Sequence, residues 1–151
     1  MIRNIRLMDA IPRPFAAVSV QTKISLWPQQ FGASLDKVWR EIRAGKIVKG
    51  GHNVMVYRHR PDGLVDIECG VETDSRFQAI GEVRLSETPA GPAVAATHVG
   101  DYAQLGSSWD QLAQWGRAQG YALSSTLWEI YGDWNENPSQ LETDLFYLLK
   151  R

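Results

Sequence analysis

The chain has 151 residues, 44% of them hydrophobic, with 16 basic and 17 acidic side chains and a formal net charge of -1. Such a length and composition suit one ordinary domain with its own core, and the balanced charge supplies no field to hold nucleic acid or an anionic membrane. The lone Cys69 excludes an intramolecular disulfide, no window nears the ~18 apolar residues of a membrane span, and the N-terminus lacks the apolar run of a signal peptide, so a cytoplasmic protein is expected.

In chain order, "FAAVSVQTKISL" is apolar and β-branched and reads as the first strand. "SLDKVWREIRAG" follows, with Leu35, Val38, Trp39 and Ile42 at the spacing of an amphipathic helix and Gly45 as its stop. "NVMVYRH" and "LVDIECGVE" then form two strands about the turn "RPDG". "EVRLSETPAGPA" holds a further strand and a Pro/Gly turn.

The order then recurs. "PAVAATHV" reads as a strand, and "SWDQLAQWGRAQG" as a helix with Ser108 as N-cap, Gln111 completing a capping box and Gly120 as the stop. "TLWEIYG" and "ETDLFYLLK" are the last two strands, joined by the polar loop "DWNENPSQL".

An internal repeat underlies this recurrence. "GASLDKVWREIRA" (32–44) aligns with "GSSWDQLAQWGRA" (106–118) at an offset of 106 minus 32, or 74; the same offset lays "VMVYRH" (54–59) under "WEIYGD" (128–133) and matches Tyr57 to Tyr131. The expected plan is strand, helix, strand, strand, twice, with unit one at about 12–74 and unit two at about 80–151. Hairpin-type strands with one helix per unit indicate an α+β fold with antiparallel sheets rather than a doubly wound parallel one.

Glu129 stands in the apolar strand "STLWEIYGDW" and poses the functional question. Alternation separates Trp128 and Ile130 from Leu127, Glu129 and Tyr131. Aligned through the repeat, the more apolar set, with Val54 and Val56, is expected to face the helix. The opposite face would then display Met55, Tyr57, Glu68, Glu129, Tyr131 and Phe146. An aromatic surface with carboxylates suits a flat or cationic ligand held by stacking and cation–π attraction, at ~0.5–2 kcal/mol per contact. A partly desolvated carboxylate would supply a counter-charge or a proton-transfer group.

Other chemistry finds no pattern. His52, His59 and His98 have no metal spacing with one another or with Cys69, and the sequence lacks a nucleophile elbow, a phosphate loop and a dinucleotide fingerprint. No metal and no cofactor are expected. Cys69, on an apolar strand face, reads as a core thiol, and "YRHR" (57–60) as a solvated strand end.

The run "THVGDYAQLGSSWDQLAQWGRAQGY", followed by "LWEIYGDWNENP" and "ETDLFYLL", together with "VDIECGVET" in the first half, resembles the GyrI-like, or AraC-type effector-binding, domain family over nearly the whole chain. The resemblance implies tandem strand-helix-strand-strand modules with a ligand groove at their pseudo-twofold junction. It also implies that Glu129 matches the glutamate with which multidrug-sensing members bind lipophilic cations. Some stand-alone members are hydrolases that open electrophilic cyclopropane compounds with a glutamate and a tyrosine; for that tyrosine Tyr57 and Tyr131 both stay open. Trp109 and Trp134 are the candidate stacking residues. About ten residues precede the first expected strand, which leaves no room here for the DNA-binding helix-turn-helix of many relatives. Three readings follow: a stand-alone binder of small amphipathic, aromatic or cationic compounds, a hydrolase of reactive xenobiotics, and a protein-interaction module of the gyrase-inhibitor type.

Overall fold

Strand structure begins earlier than the apolar patterns indicate. In the computed structural model, which describes residues 1–150, β1 already runs over Ile2–Ala10. It was hidden in the sequence because Arg3, Arg6 and Asp9 break its apolar alternation. Asn4 takes a left-handed φ of 56° at an irregularity in its pairing, a conformation asparagine tolerates.

The remaining elements follow the expected plan. They are β2 (Pro14–Thr22), α1 (Trp27–Arg43), β3 (Lys49–His59), β4 (Val65–Thr73), β5 (Arg84–Glu87), β6 (Gly91–Val99), α2 (Leu105–Ala118), β7 (Leu123–Tyr131) and β8 (Glu142–Leu149). Strand-helix-strand-strand therefore occurs twice in an α+β architecture, as β2-α1-β3-β4 and β6-α2-β7-β8. Gly45 and Gly120 follow the two helices with φ of 76° and 87°, the left-handed geometry that ends a helix at little cost for glycine.

Both helices start upstream of their expected positions. The end of the expected first strand is instead a one-turn 3-10 helix, Ile24–Leu26, and α1 then opens with a proline in its first turn. Pro28 is the signal that was available, since a proline suits the first helical turn. In the second unit a 3-10 turn, Tyr102–Gln104, is capped by Asp101, whose carboxylate accepts from the Ala103 amide at 3.0 Å. The helix continues from that turn, so Ser108 lies within α2 rather than at its N-cap. Gln111 reaches only the Ser107 hydroxyl, at 3.3 Å.

The chain divides into two compact units, one of Met1–Ile11 with the residues from Pro89 onward, the other of Pro12–Thr88. In the first the strand order is β1-β6-β8-β7, and in the second β3-β4-β2-β5, with neighbours within each unit antiparallel. Each central hairpin carries the same irregularity. Pairing shifts between Lys49 and Asn53 in β3 and between Leu123 and Leu127 in β7; 123 minus 49 and 127 minus 53 both give 74, the offset of the sequence repeat.

Directly opposed residues of an antiparallel pair project to one side of the sheet. Glu129 is opposite Leu145, and Leu145 joins Val94, Ala96 and Leu112 of α2 in one buried cluster. Leu127, Glu129 and Tyr131 thus lie on the helix-bearing face, with Trp128 and Ile130 on the other. The same holds in the second unit: Met55 and Tyr57 oppose Cys69 and Ile67, and Trp39 of α1 donates to Asn53 on that face at 3.1 Å. This reverses the expected face assignment. The physical reason is that both faces are buried: Trp128, Ile130, Val54 and Val56 on one side, Glu129, Met55 and Tyr57 on the other, so apolar character does not identify the helix-bearing side.

Cys69 sits fully buried on the helix-bearing face of β4, and desolvation pushes its thiol up to about 12. Because the thiolate is the nucleophile, iodoacetamide at pH 8 is expected to leave the folded protein unmodified and to alkylate Cys69 once denaturant is added. Adduct formation at the same rate in both conditions, followed by mass spectrometry, would contradict this burial.

No helix among the described residues is long and apolar enough to cross a membrane.

Candidate functional site

The unit containing β6, α2, β7 and β8 brings together the most chemically pointed residues. Glu129 lies in the middle of a buried run of β7 and is only 4% exposed. Tyr131, two residues on and therefore on the same side, donates its hydroxyl to Glu129 Oε2 at 3.2 Å. The ring of Tyr131 meets that of Tyr102 edge-on, with centroids 5.3 Å apart and planes at 70°. Tyr102 is 37% exposed, so this corner runs from a buried carboxylate outward to an aromatic rim.

Two further candidates lie in the same unit at different depths. Trp109 of α2 packs against the cluster of Val94, Ala96, Leu112 and Leu145 and meets Tyr147 edge-on at 5.9 Å. Trp134 is 73% exposed on the loop that follows β7. That loop is ordered by side-chain turns: Asn135 accepts from the Asn137 amide at 2.9 Å, and Asn137 from the Ser139 amide at 3.1 Å.

Phe146 does not share the Glu129 face. It opposes Trp128 in the β7–β8 register and stacks on that ring at 5.0 Å and 9°, on the far side of the sheet. In the other unit, Met55 and Tyr57 are buried on the helix-bearing face. Glu68 is on the reverse face, where it forms an ion pair with Arg58 at 2.6 Å and accepts from the Ser86 hydroxyl. The registers do not produce the expected grouping of Glu68 with Met55 and Tyr57, or of Phe146 with Glu129 and Tyr131.

A polar row without a local sequence pattern lies next to Tyr131. Thr143 of β8 opposes Tyr131 on one side and His98 of β6 on the other. His98 is fully buried and bonds Ser108 of α2 and the Asp101 carbonyl. Only the His98 embedded in the apolar run "AVAATHV" hinted at this row. No cluster of three or more His, Cys, Asp or Glu suited to a metal occurs among the described residues.

The Thr143 hydroxyl is buried and has no hydrogen-bond partner among the described residues. A buried polar group left unpaired costs ~1–3 kcal/mol. Thr143→Val, which keeps the shape, is therefore expected to stabilise the fold by about 1 kcal/mol, seen as a higher urea midpoint with an unchanged slope. A lower midpoint would show that the hydroxyl is satisfied in solution.

Comparison with known proteins places this geometry in context. The sequence model described as a GyrI-like small molecule binding domain matches residues 5–150. The C-terminal domain of EcmrR superposes with a TM-score of 0.78 at 15% identity, over 98% of this chain and 98% of that one. Against EcmrR in its complex with DNA the TM-score is 0.77 at 16% identity; 98% of this chain is covered, but only 57% of that one, so this chain spans little more than half its length. SAV2435 bound to tetraphenylphosphonium superposes at 0.72 with 10% identity, over 98% and 94% of the two chains. A hydrolase from Listeria innocua does so at 0.62 with 13% identity, over 98% and 92%. At these identities the likeness bears on the fold. Among curated proteins, none matches the chain in sequence.

Proposed function

Because the chain belongs to the GyrI-like family of small-molecule-binding domains, we propose that it binds amphipathic aromatic compounds, lipophilic cations foremost, at a site built on Glu129, Tyr131 and Tyr102, in a sensing or sequestering role. The observation that carries the reading is the buried Glu129 carboxylate, oriented by the Tyr131 hydroxyl at 3.2 Å beneath an edge-on tyrosine pair. A carboxylate in such surroundings attracts a cation far more strongly than one in water does. Aromatic rings add ~0.5–2 kcal/mol per cation–π contact, and the exposed Trp134 offers a further stacking surface. The tetraphenylphosphonium held by SAV2435 is a compound of this class.

The test is equilibrium titration with tetraphenylphosphonium and with neutral triphenylphosphine oxide, followed by tryptophan fluorescence and calorimetry. Micromolar binding of the cation with clear preference over the neutral compound is expected. Equal affinity for the two would remove the counter-ion role.

The hydrogen bond between Tyr131 and Glu129 also supports a second reading, hydrolysis of a strained electrophilic ring. Glu129 would take a proton from water as its oxygen bonds to one ring carbon and the strained C–C bond breaks; Tyr131 would give its hydroxyl proton to the departing carbon and regain one from Glu129 along their hydrogen bond. Incubation with a cyclopropane-containing alkylator and mass spectrometry of the product decides it: gain of one water supports hydrolysis, and an unchanged compound counts against it.

A further inference from the structure

A buried histidine lies four residues before Tyr102 in the chain. His98 is fully enclosed, and both ring nitrogens are engaged: Nε2 lies 3.0 Å from the Asp101 carbonyl oxygen and Nδ1 2.6 Å from Ser108 Oγ. A carbonyl oxygen only accepts, so Nε2 carries the proton and Nδ1 accepts from the Ser108 hydroxyl. Ser108 is itself 1% exposed on α2. The ring is therefore clamped between a helix and the backbone of the turn that follows β6.

That turn is pinned at two more points. The Gly100 amide donates to the Leu141 carbonyl at 2.9 Å, and Gly100 has a φ of 132° that other residues rarely adopt. The Asp101 carboxylate accepts from the Ala103 amide at 3.0 Å. Next to Asp101 comes Tyr102, the residue whose ring lies edge-on against Tyr131.

We infer that His98 is a positioning residue for the ligand site: through the Asp101 carbonyl it sets Tyr102 against Tyr131, and Ser108 ties this arrangement to α2. A buried imidazole N–H needs an acceptor wherever it lies; here that acceptor is the carbonyl of the residue directly before Tyr102, which couples the ring to the aromatic rim. With Tyr131 bonded to Glu129 on one side and braced by Tyr102 on the other, the aromatic wall is in place before a ligand arrives. Affinity then loses less to ordering of side chains.

The inference rests on the proposed binding site for its affinity readout, but not for its structural one. In ligand-free protein with labelled tyrosines, nuclear Overhauser contacts between the Tyr102 and Tyr131 rings are expected, and they are expected to vanish in His98→Leu while the spectrum stays dispersed. Rings that remain in contact in folded His98→Leu overturn the inference. In tetraphenylphosphonium titrations, His98→Leu and Tyr102→Ala are each expected to weaken binding about fivefold, as for loss of one aromatic contact, and the double variant no further. Multiplying losses in the double variant also overturn it. Should His98→Leu fail to fold, Ser108→Ala takes its place: a loss of affinity absent in the Tyr102→Ala background supports the inference, and an equal loss in both backgrounds rejects it. A wild-type protein that ignores tetraphenylphosphonium rejects the proposed ligand class, and the ring contacts still decide the role of His98.

Discussion

Glu129→Gln is expected to weaken tetraphenylphosphonium binding about tenfold to a hundredfold while leaving neutral triphenylphosphine oxide within a factor of about two. At an effective dielectric near 20, a cation about 4 Å from a carboxylate gains about 4 kcal/mol. Desolvation of both partners offsets a good part of that gain, and the remainder sets the expected range. The amide keeps the size of the side chain and still accepts from the Tyr131 hydroxyl, which lies 3.2 Å from Glu129 Oε2. Folding should therefore survive the change. Side-by-side calorimetric titration of the two ligands checks this. Equal weakening for both would mean that Glu129 shapes the site without attracting charge.

Gly70→Ala is expected to have the largest effect on stability, a loss of about 3 kcal/mol or more. A Cβ at this position in β4 would stand 1.7 Å from the Ala16 carbonyl oxygen, 2.7 Å from its carbon and 2.9 Å from the Ala17 Cα. All three are backbone atoms of the adjacent β2, and no rotamer change moves them away. The strands must separate locally, which also strains the β2–β4 pairing of Ala17 with Gly70. Such a loss is a large share of the ~5–15 kcal/mol that holds a typical domain together. Gly32→Ala is the control. It lies exposed in α1 with nothing within 4 Å of its added Cβ, and it is expected to stabilise by about 0.5–1 kcal/mol through helix propensity. Urea unfolding of the two variants beside the wild type gives the comparison. A Gly70→Ala protein within about 1 kcal/mol of wild type would show that β2 and β4 have slack at this point.

Several structural features were legible in the residues because they are local. Gly45 and Gly120 end their helices where a glycine is needed, and both adopt the left-handed φ of a helix stop. The turn "RPDG" joins β3 to β4 with the Gly63 amide bonded to the Arg60 carbonyl. The helix starts were less legible, because Pro28 and Asp101 act through 3-10 turns that carry no apolar periodicity of their own. Strand β1 was invisible for a related reason: an edge strand with arginines at positions 3 and 6 gains its identity from pairing with β6.

The sequence by itself determined the duplicated strand-helix-strand-strand plan and the presence of one carboxylate in an apolar strand. Repeat offset, glycine stops and residue alternation are properties of short segments, and the shared irregularity of β3 and β7 recurs at the offset of 74. Only the tertiary structure decided which side of each strand meets a helix. A period of two separates Glu129 from Trp128 but does not say which of them faces α2, and with both sides buried, hydrophobicity could not break the tie. Cross-strand register did so, by setting Glu129 opposite Leu145 and Phe146 opposite Trp128. The same long-range pairing brought Tyr102 to Tyr131 and lined up His98, Thr143 and Tyr131 in one row, contacts between segments far apart in the chain that no local pattern encodes.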